Sequence, residues 1–186
     1  MKFCRAWELG CALTLIGAFV SSAQSVNCRT NYYKVTGTNF HEIRRSIAKS
    51  RPFREEFDAI TAWQVNWTFS MTSSEAGCSC TGFTTTTHIV ITMPWWVAPT
   101  NSTAETKKRW TDYYQQLARH EAGHARIALA ANAEVRKQLG QFTSDNDCAS
   151  LKSRMNEAAN RVVAEHRRLE VEFDRRTRHG AEPDKP

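Results

Sequence analysis

The segment QQLARHEAGHARIALA, residues 115–130, places two histidines and a glutamate inside an alanine-rich helical pattern. His120 and His124 recur with the apolar residues of this segment at helical spacing, so both imidazoles are predicted to face the protein interior. Burying polar groups is unfavourable unless each of them finds a partner. The pattern therefore predicts a buried polar site on one face of a long helix.

The same residues form an HExxH motif, His120-Glu121-Ala122-Gly123-His124, which is typical of zinc metallopeptidases. Spacing of four puts both imidazoles one turn apart, close enough to bind the same Zn²⁺ ion. Glu121, about 100° round the helix, is predicted to act as the general base that takes a proton from water. The alternative is a chance match in which the histidines pair with other core groups.

A catalytic zinc normally takes three protein ligands, and the residues after His124 do not supply the third. Ala130 stands where an HxxGxxH continuation would place a histidine, and Glu134 is about 15 Å further along the helix. If the helix packs against the next one as a straight antiparallel hairpin, His166 comes near the metal. The other candidates are the polar residues of the segment FDRRTRHG, namely Asp174, Thr177 and His179.

The first residues have the order of a secretory signal peptide. Lys2 and Arg5 precede an apolar run at 11–20, which is followed by SSAQ. The run is too short to cross a membrane, since roughly 20 apolar residues are needed. We therefore expect a signal peptide at residues 1–23, a secreted or periplasmic protein, and no stable membrane insertion after cleavage.

Export determines how the cysteines are interpreted, because removing Cys4 and Cys11 leaves four. These four, Cys28, Cys78, Cys80 and Cys148, are expected to form two disulfides. A disulfide between the two central cysteines would be strained, because only one residue separates them in the chain. We therefore expect Cys28 and Cys148 each to bind one of that pair, with a zinc site at CSC as the alternative.

The charge distribution argues against a nucleic-acid partner, and the substrate expected for the HExxH site is a peptide or protein. The formal net charge is +6, and loss of two basic residues and one acidic residue with the signal peptide leaves +5. Basic and acidic residues are interleaved, both at 42–58 and along the C-terminal third. Such mixing is typical of a solvated face and not of a nucleic-acid groove.

Hydrophobic patterning predicts an α+β fold in a single domain over residues 28–180. Strands are expected at 31–37, 61–71 and 83–94, forming an N-terminal antiparallel sheet with a short helix between the first two. A long antiparallel helix hairpin should follow, with the first helix at 103–139 carrying HExxH and the second at 148–173. The tail at 181–186 is expected to be disordered. The aromatic residues of MPWWVAP either fill the core or shape a peptide groove.

The combination of an exported chain, a β-rich first half, HEAGH on a long helix and FDRRTRHG on a later one resembles a known family. This is an uncharacterised bacterial family of predicted secreted zinc-dependent proteases, and the resemblance covers residues 28–180. Phe173 replaces the tyrosine usual at that position, and the Gln-Gly pair that often follows the later motif is missing. The resemblance implies a zincin-like domain in which the zinc ligands are His120, His124 and His179. Asp174 would then orient a ligand or bind the metal directly.

These expectations lead to a zinc-dependent metallopeptidase with Glu121 as general base. The alternative is a non-catalytic, zinc-containing envelope-binding or structural module. The two differ at Glu121, which is not needed to hold zinc but is needed to activate water.

Overall fold

The computed structural model describes residues 21–180. Residues 1–20 of the expected signal peptide and the expected disordered tail at 181–186 lie outside the described residues. The predicted α+β class is confirmed, with a mixed but mostly antiparallel sheet, a short helix and long C-terminal helices. Within residues 21–180, no helix has both the length and the apolar character needed to cross a membrane.

Four strands and three helices make up the described chain. In chain order they are β1 (Ser21–Val35), α1 (Phe40–Ser50), β2 (Ile60–Ser74), β3 (Gly77–Trp96), α2 (Ala104–Leu139), β4 (Ser144–Asp145) and α3 (Cys148–Thr177). The sheet has the order β1-β3-β2, and β4 pairs with β3 in antiparallel register, with Cys78 opposite Asp145.

The elements follow from local sequence. Trp63 and Val65 of β2 are buried while their neighbours are exposed, as alternation along a half-buried strand requires. Helix α1 begins after Asn39, whose side chain accepts a hydrogen bond from the Glu42 amide at 3.0 Å.

Helix α3 runs further than the sequence pattern predicts, to Thr177 and not to about Phe173. The His179 amide donates to the Asp174 carbonyl at 2.9 Å, a bond of the Schellman type that closes the last turn. Arg178 and His179 both adopt positive φ, 46° and 51°, where non-glycine residues are uncommon. The extra turn brings Asp174 and Thr177 into the helix.

The described chain divides into two compact units, and each contains segments of the long strands and helices. One unit comprises residues 21–27, Trp63–His88 and Ile127–Leu169. The other comprises Cys28–Ala62, Ile89–Arg126 and residues 170–180. One buried hydrophobic cluster of this second unit consists of Tyr33, Val35, Ile43, Ile47 and Trp96. A single domain over residues 28–180 stays a prediction.

The disulfide arrangement agrees only in part with the expectation. Cys78 at the start of β3 is bonded to Cys148, the first residue of α3. Cys80 has a free, buried thiol, which lies 3.4 Å from the Gly82 carbonyl oxygen. The predicted bond between Cys80 and Cys28 is therefore wrong. Cys80 lies two residues after Cys78 on β3, and its side chain is buried without a bond to another sulfur.

Candidate metal centre

Three side chains from two helices converge on one point. His120 Nε2 and His124 Nε2 each lie 3.0 Å from Asp174 Oδ1, and the two nitrogens are 3.2 Å apart. Both histidines are buried, whereas the Asp174 side chain is 25% exposed. Among residues 21–180, this is the group of histidine, cysteine and carboxylate side chains whose ligand atoms lie close enough to hold a metal ion.

Helical spacing accounts for the convergence. His120 and His124 are one turn apart on α2, and Asp174 lies in the last turn of α3. The sequence prediction that both imidazoles face inward is confirmed by exposed fractions of 8% and 7%.

Thr177 orients the His120 ring. Its hydroxyl donates to the Phe173 carbonyl at 2.8 Å, so the hydroxyl oxygen is available to accept from His120 Nδ1 at 3.3 Å. A proton on Nδ1 leaves the lone pair of His120 Nε2 directed at Asp174 and His124. This is the tautomer that a metal ligand bound through Nε2 requires.

Glu170 has the matching position beside His124. Its Oε1 lies 3.4 Å from His124 Nδ1, and a carboxylate there favours a proton on that nitrogen. Glu170 is not among the site residues expected from the sequence. A signal was present, because Glu170, Asp174 and Thr177 recur at helical spacing on α3 and place three polar residues along one stripe.

The donor set fits a divalent metal. In a tetrahedral zinc site with bonds of about 2.0–2.1 Å, neighbouring ligand atoms are about 3.3 Å apart, close to the 3.0–3.2 Å separations found here. Each Nε2 atom is an acceptor when its ring carries the proton on Nδ1, and the Asp174 carboxylate oxygen is an acceptor as well. Three such atoms in mutual contact are stabilised by a cation between them.

The protonation equilibria of the site point the same way. Burial alone would lower the pKa of His124, but the hydrogen bonds to Asp174 and Glu170 raise this pKa to about 9. Burial would raise the pKa of Asp174, yet its hydrogen bonds to His120 and His124 hold that pKa well below its usual range. Both shifts show that the centre favours a positive charge where the three atoms meet.

Glu121 lies beside this centre but is not one of the converging groups. Glu121 is only 3% exposed, and its Oε2 accepts a hydrogen bond from the hydroxyl of Thr61 on β2 at 2.7 Å. Burial raises the pKa of the carboxyl, while the Thr61 hydrogen bond and the two histidines oppose that rise. Nothing in the sequence pattern indicates Thr61 as the partner of Glu121, since 60 residues separate them.

Gly123 and Phe173 pack the centre from the apolar side. The Phe173 ring stacks on His120 at 4.9 Å and meets His124 edge-on at 5.1 Å. A Cβ atom on Gly123 would lie 2.2 Å from Phe173 Cζ. Glycine in the middle of HEAGH is therefore explained by the close approach of this ring, at the expense of helix propensity.

Gly180 also approaches His120 closely. Its φ is +81°, and a Cβ atom there would lie 2.9 Å from His120 Cβ. Gln116 Nε2 donates to the Gly180 carbonyl at 2.6 Å, which ties the end of the later motif to α2.

The expected third ligand, His179, is not in the converging group. Its side chain is 53% exposed, its Nδ1 lies 3.6 Å from Asp174 Oδ1, and its ring lies over Phe57 at 4.7 Å. The other candidate, His166, is also outside the group, and its Nδ1 lies 2.9 Å from the Val162 carbonyl oxygen within α3. The structure instead brings in Asp174, for which the sequence allowed either an orienting role or direct binding.

Comparison with known proteins gives one assignment. No curated protein and no solved structure matches the chain. A family described as bacterial proteins of unknown function, DUF922, matches residues 30–180, which include the whole of the candidate metal centre. The chain belongs to this bacterial family, DUF922.

Proposed function

We propose that this protein is an exported zinc-dependent peptidase that hydrolyses peptide bonds. The observation that carries the proposal is the position of Glu121. This carboxylate is buried beside two histidines and an aspartate that can hold a metal, yet it is not in their group. A site that uses metal only for stability has no need of such a carboxylate, whereas hydrolysis requires a base next to the metal.

We further propose that the zinc ligands are His120, His124 and Asp174. Two imidazoles and one carboxylate match the three protein ligands that are typical of catalytic zinc sites. Glu170 and Thr177 then act as the groups that hold each imidazole in its ligating tautomer. His179, beside Asp174, would lie at the edge of the site and would not complete it.

Zinc held by these residues would supply Lewis acidity for the attacking water and for the carbonyl of the scissile bond. Glu121 would accept a proton from the water molecule as the water oxygen adds to the carbonyl carbon. The same carboxyl would return this proton to the nitrogen as the carbon–nitrogen bond breaks. The Thr61 hydroxyl fixes one oxygen of Glu121 and leaves the other oxygen for this transfer.

The expected compartment is consistent with the cysteines. A disulfide between Cys78 and Cys148 is stable in the periplasm or outside the cell and is rare in the cytosol. Export remains part of the proposal, and detection of the processed chain in the periplasmic or culture fraction would test it.

The decisive variant is Glu121→Gln. We expect it to bind one zinc per chain like the wild type and to lose peptide hydrolysis by at least about 10²-fold, since general-base catalysis contributes about 10²–10⁴-fold. Digestion of a broad peptide library, read by mass spectrometry alongside metal analysis of the same samples, measures both quantities.

Glu105→Gln is the matched control, because Glu105 is an exposed glutamate on the same helix. It should keep both zinc and hydrolysis. If zinc-loaded wild type cleaves nothing above the Glu121→Gln background, the peptidase proposal is wrong and a structural or envelope-binding role for the metal replaces it.

A further inference from the structure

A cavity of about 440 Å³ lies in the same unit as the metal centre. Its volume falls within the roughly 300–1,000 Å³ range of ligand pockets. Five of its six lining residues are aromatic, and none of the six is charged: Tyr32, Pro94, Trp95, Trp96, Trp110 and Tyr114.

The walls of the cavity differ in their burial. Trp96 is 7% exposed, and its indole nitrogen donates to the Gly37 carbonyl at 3.0 Å, so this wall is fixed in the core. Trp95 and Tyr32 are 58% and 49% exposed, and their rings meet edge to face at 5.9 Å. Two large aromatic side chains thus stand at the mouth without a covering element among the described residues.

Helix α2 connects the cavity to the catalytic carboxylate. Tyr114 precedes Glu121 by seven residues, within about 20° of two complete helical turns, and Trp110 precedes Tyr114 by four. All three residues therefore lie on one stripe of α2. At 1.5 Å per residue, Tyr114 and Trp110 are about 10 Å and about 16 Å along the helix from Glu121.

An extended chain that starts at Glu121 would reach the cavity after a few residues. One residue of extended peptide spans about 3.3–3.6 Å, so the two aromatic positions correspond to about three and five residues from the scissile bond. We propose that the cavity is a remote subsite that binds an apolar segment of the substrate, bearing aromatic or proline side chains, about three to five residues from the bond that is cleaved. This inference rests on the proposed peptidase function.

The chemistry of the lining favours an apolar peptide segment over a glycan. Aromatic-lined grooves bind proline-rich segments, and aromatic side chains pair favourably with one another beyond the burial of their area. Sugars need several polar partners for their hydroxyls, yet the lining contains no carboxylate, amide or basic side chain. The Trp96 nitrogen is already engaged with the Gly37 carbonyl.

Binding to the zinc-loaded Glu121→Gln protein tests the inference without relying on turnover. The probes are fluorescein-labelled peptides of glycine, serine and alanine in which two adjacent positions are Trp-Pro or, in the control peptide, Ser-Ser. We expect fluorescence anisotropy to show tighter binding of the Trp-Pro peptide by about tenfold or more, and loss of this difference in Trp95→Ala.

Val97→Ser is the matched control, because Val97 is 62% exposed, lies two residues from Trp95 and does not line the cavity. It should bind like the parent protein. Tyr32→Ser removes the other exposed wall and should reproduce the Trp95→Ala effect, which guards against a folding defect in a single variant.

Equal binding of the two peptides, or unchanged binding in both Trp95→Ala and Tyr32→Ser, would overturn the inference. So would binding of soluble chitooligosaccharides in place of peptides, or a concentration-dependent dimer that Trp95→Ala dissociates. Active wild type adds a positional readout: cleaved library peptides should be enriched in aromatic or proline residues about three to five positions from the bond, on one side only.

The two proposals fail separately in this design. Selective binding of the Trp-Pro peptide without cleavage by the wild type would sustain the aromatic binding site and reject the peptidase function. Cleavage with no preference for aromatic or proline residues, together with no effect of Trp95→Ala, would sustain the peptidase function and reject the aromatic subsite.

Discussion

Gly123 and Phe173 show how single residues set the metal centre. Glycine in a helix interior is less favourable than alanine by about 1 kcal/mol, and an isolated helix would therefore gain from Gly123→Ala. In the folded protein the added Cβ would lie 2.2 Å from Phe173 Cζ, and that ring stacks on His120. Close packing against the Phe173 ring therefore outweighs helix propensity at this position.

We therefore predict that Gly123→Ala destabilises the protein, since overpacking typically costs about 1–3 kcal/mol, and that it weakens zinc binding by about 10–100-fold. Chemical denaturation and zinc titration measure the two effects. The double variant Gly123→Ala/Phe173→Leu should recover part of both losses, because the smaller side chain relieves the clash. A Gly123→Ala protein that is more stable and binds zinc normally would show that the ring does not constrain this position.

The raised pKa of His124 predicts that zinc binding releases a proton. Hydrogen bonds to Asp174 and Glu170 raise this pKa to about 9 against the opposing effect of burial, so the metal-free protein carries a proton on His124 near neutral pH. A zinc ligand must be neutral imidazole, and binding must therefore release that proton. The pKa of His124 is higher in the folded chain than in the unfolded chain, so protonation of His124 stabilises the metal-free fold. This stabilisation is fully present at pH values below the pKa of the unfolded chain, and it is lost as pH rises through about 9.

Zinc binding near pH 7 should thus release about one proton from His124, and this release should decline as pH rises toward about 9. Calorimetric titrations in buffers of different ionisation enthalpy give the number directly. Glu170→Gln, which replaces the carboxylate beside His124 Nδ1 with a neutral amide, should reduce the release. Binding heats that do not depend on the buffer would contradict the assigned protonation.

The long helices and strands with a periodic pattern could be predicted from the sequence, whereas their ends could not. Alternation in β2 and the helical stripe of α2 both follow from burial of one face, and both are found. Strand β4 has only two residues, which is too short for a periodic signal. The first residues of β1 are exposed and polar, and Ser21–Ala23 fall within the expected signal peptide, so alternation could not reveal them.

The end of α3 explains why Asp174, and not the expected His179, converges with His120 and His124. Gly180 is the usual kind of stop signal, but the helix ends at Thr177 and the chain turns through Arg178 and His179 with positive φ. Asp174 faces the histidines because the helix continues past it. Five residues later, His179 leaves the helix direction and its ring lies over Phe57. The choice between the two depends on that last turn, which no spacing rule specifies.

The disulfide is a property of two elements, since it joins the start of β3 to the start of α3. We predict that peptide mapping of the unreduced protein recovers Cys78 linked to Cys148 and that Cys80 reacts with iodoacetamide only after unfolding, because its thiol is buried. Reduction should lower stability by about 2–4 kcal/mol. Cys80→Ser serves as the control and should leave the bond in place. A cross-link at Cys80 would instead restore the pairing expected from the sequence.

The candidate metal centre and the aromatic cavity lie in the same one of the two units. The three candidate ligands, Glu121 and the aromatic cavity all belong to the unit that includes Cys28–Ala62 and Ile89–Arg126. The Cys78–Cys148 bond belongs to the other unit. Since the unfolded chain disperses the three proposed ligands, the free energy of zinc binding at this site should add to the stability of the fold.

In the proposed site, His120, His124 and Asp174 hold zinc while Glu121 stays free to act on water. Crystals of the zinc-loaded protein, measured at the zinc absorption edge, locate the metal directly by anomalous scattering. We predict one peak per chain, bonded to His120 Nε2, His124 Nε2 and an Asp174 oxygen at about 2.0–2.2 Å, with Glu121 outside bonding distance. A peak bonded to Glu121, a peak bonded to His179 in place of Asp174, or a peak remote from both histidines would contradict it.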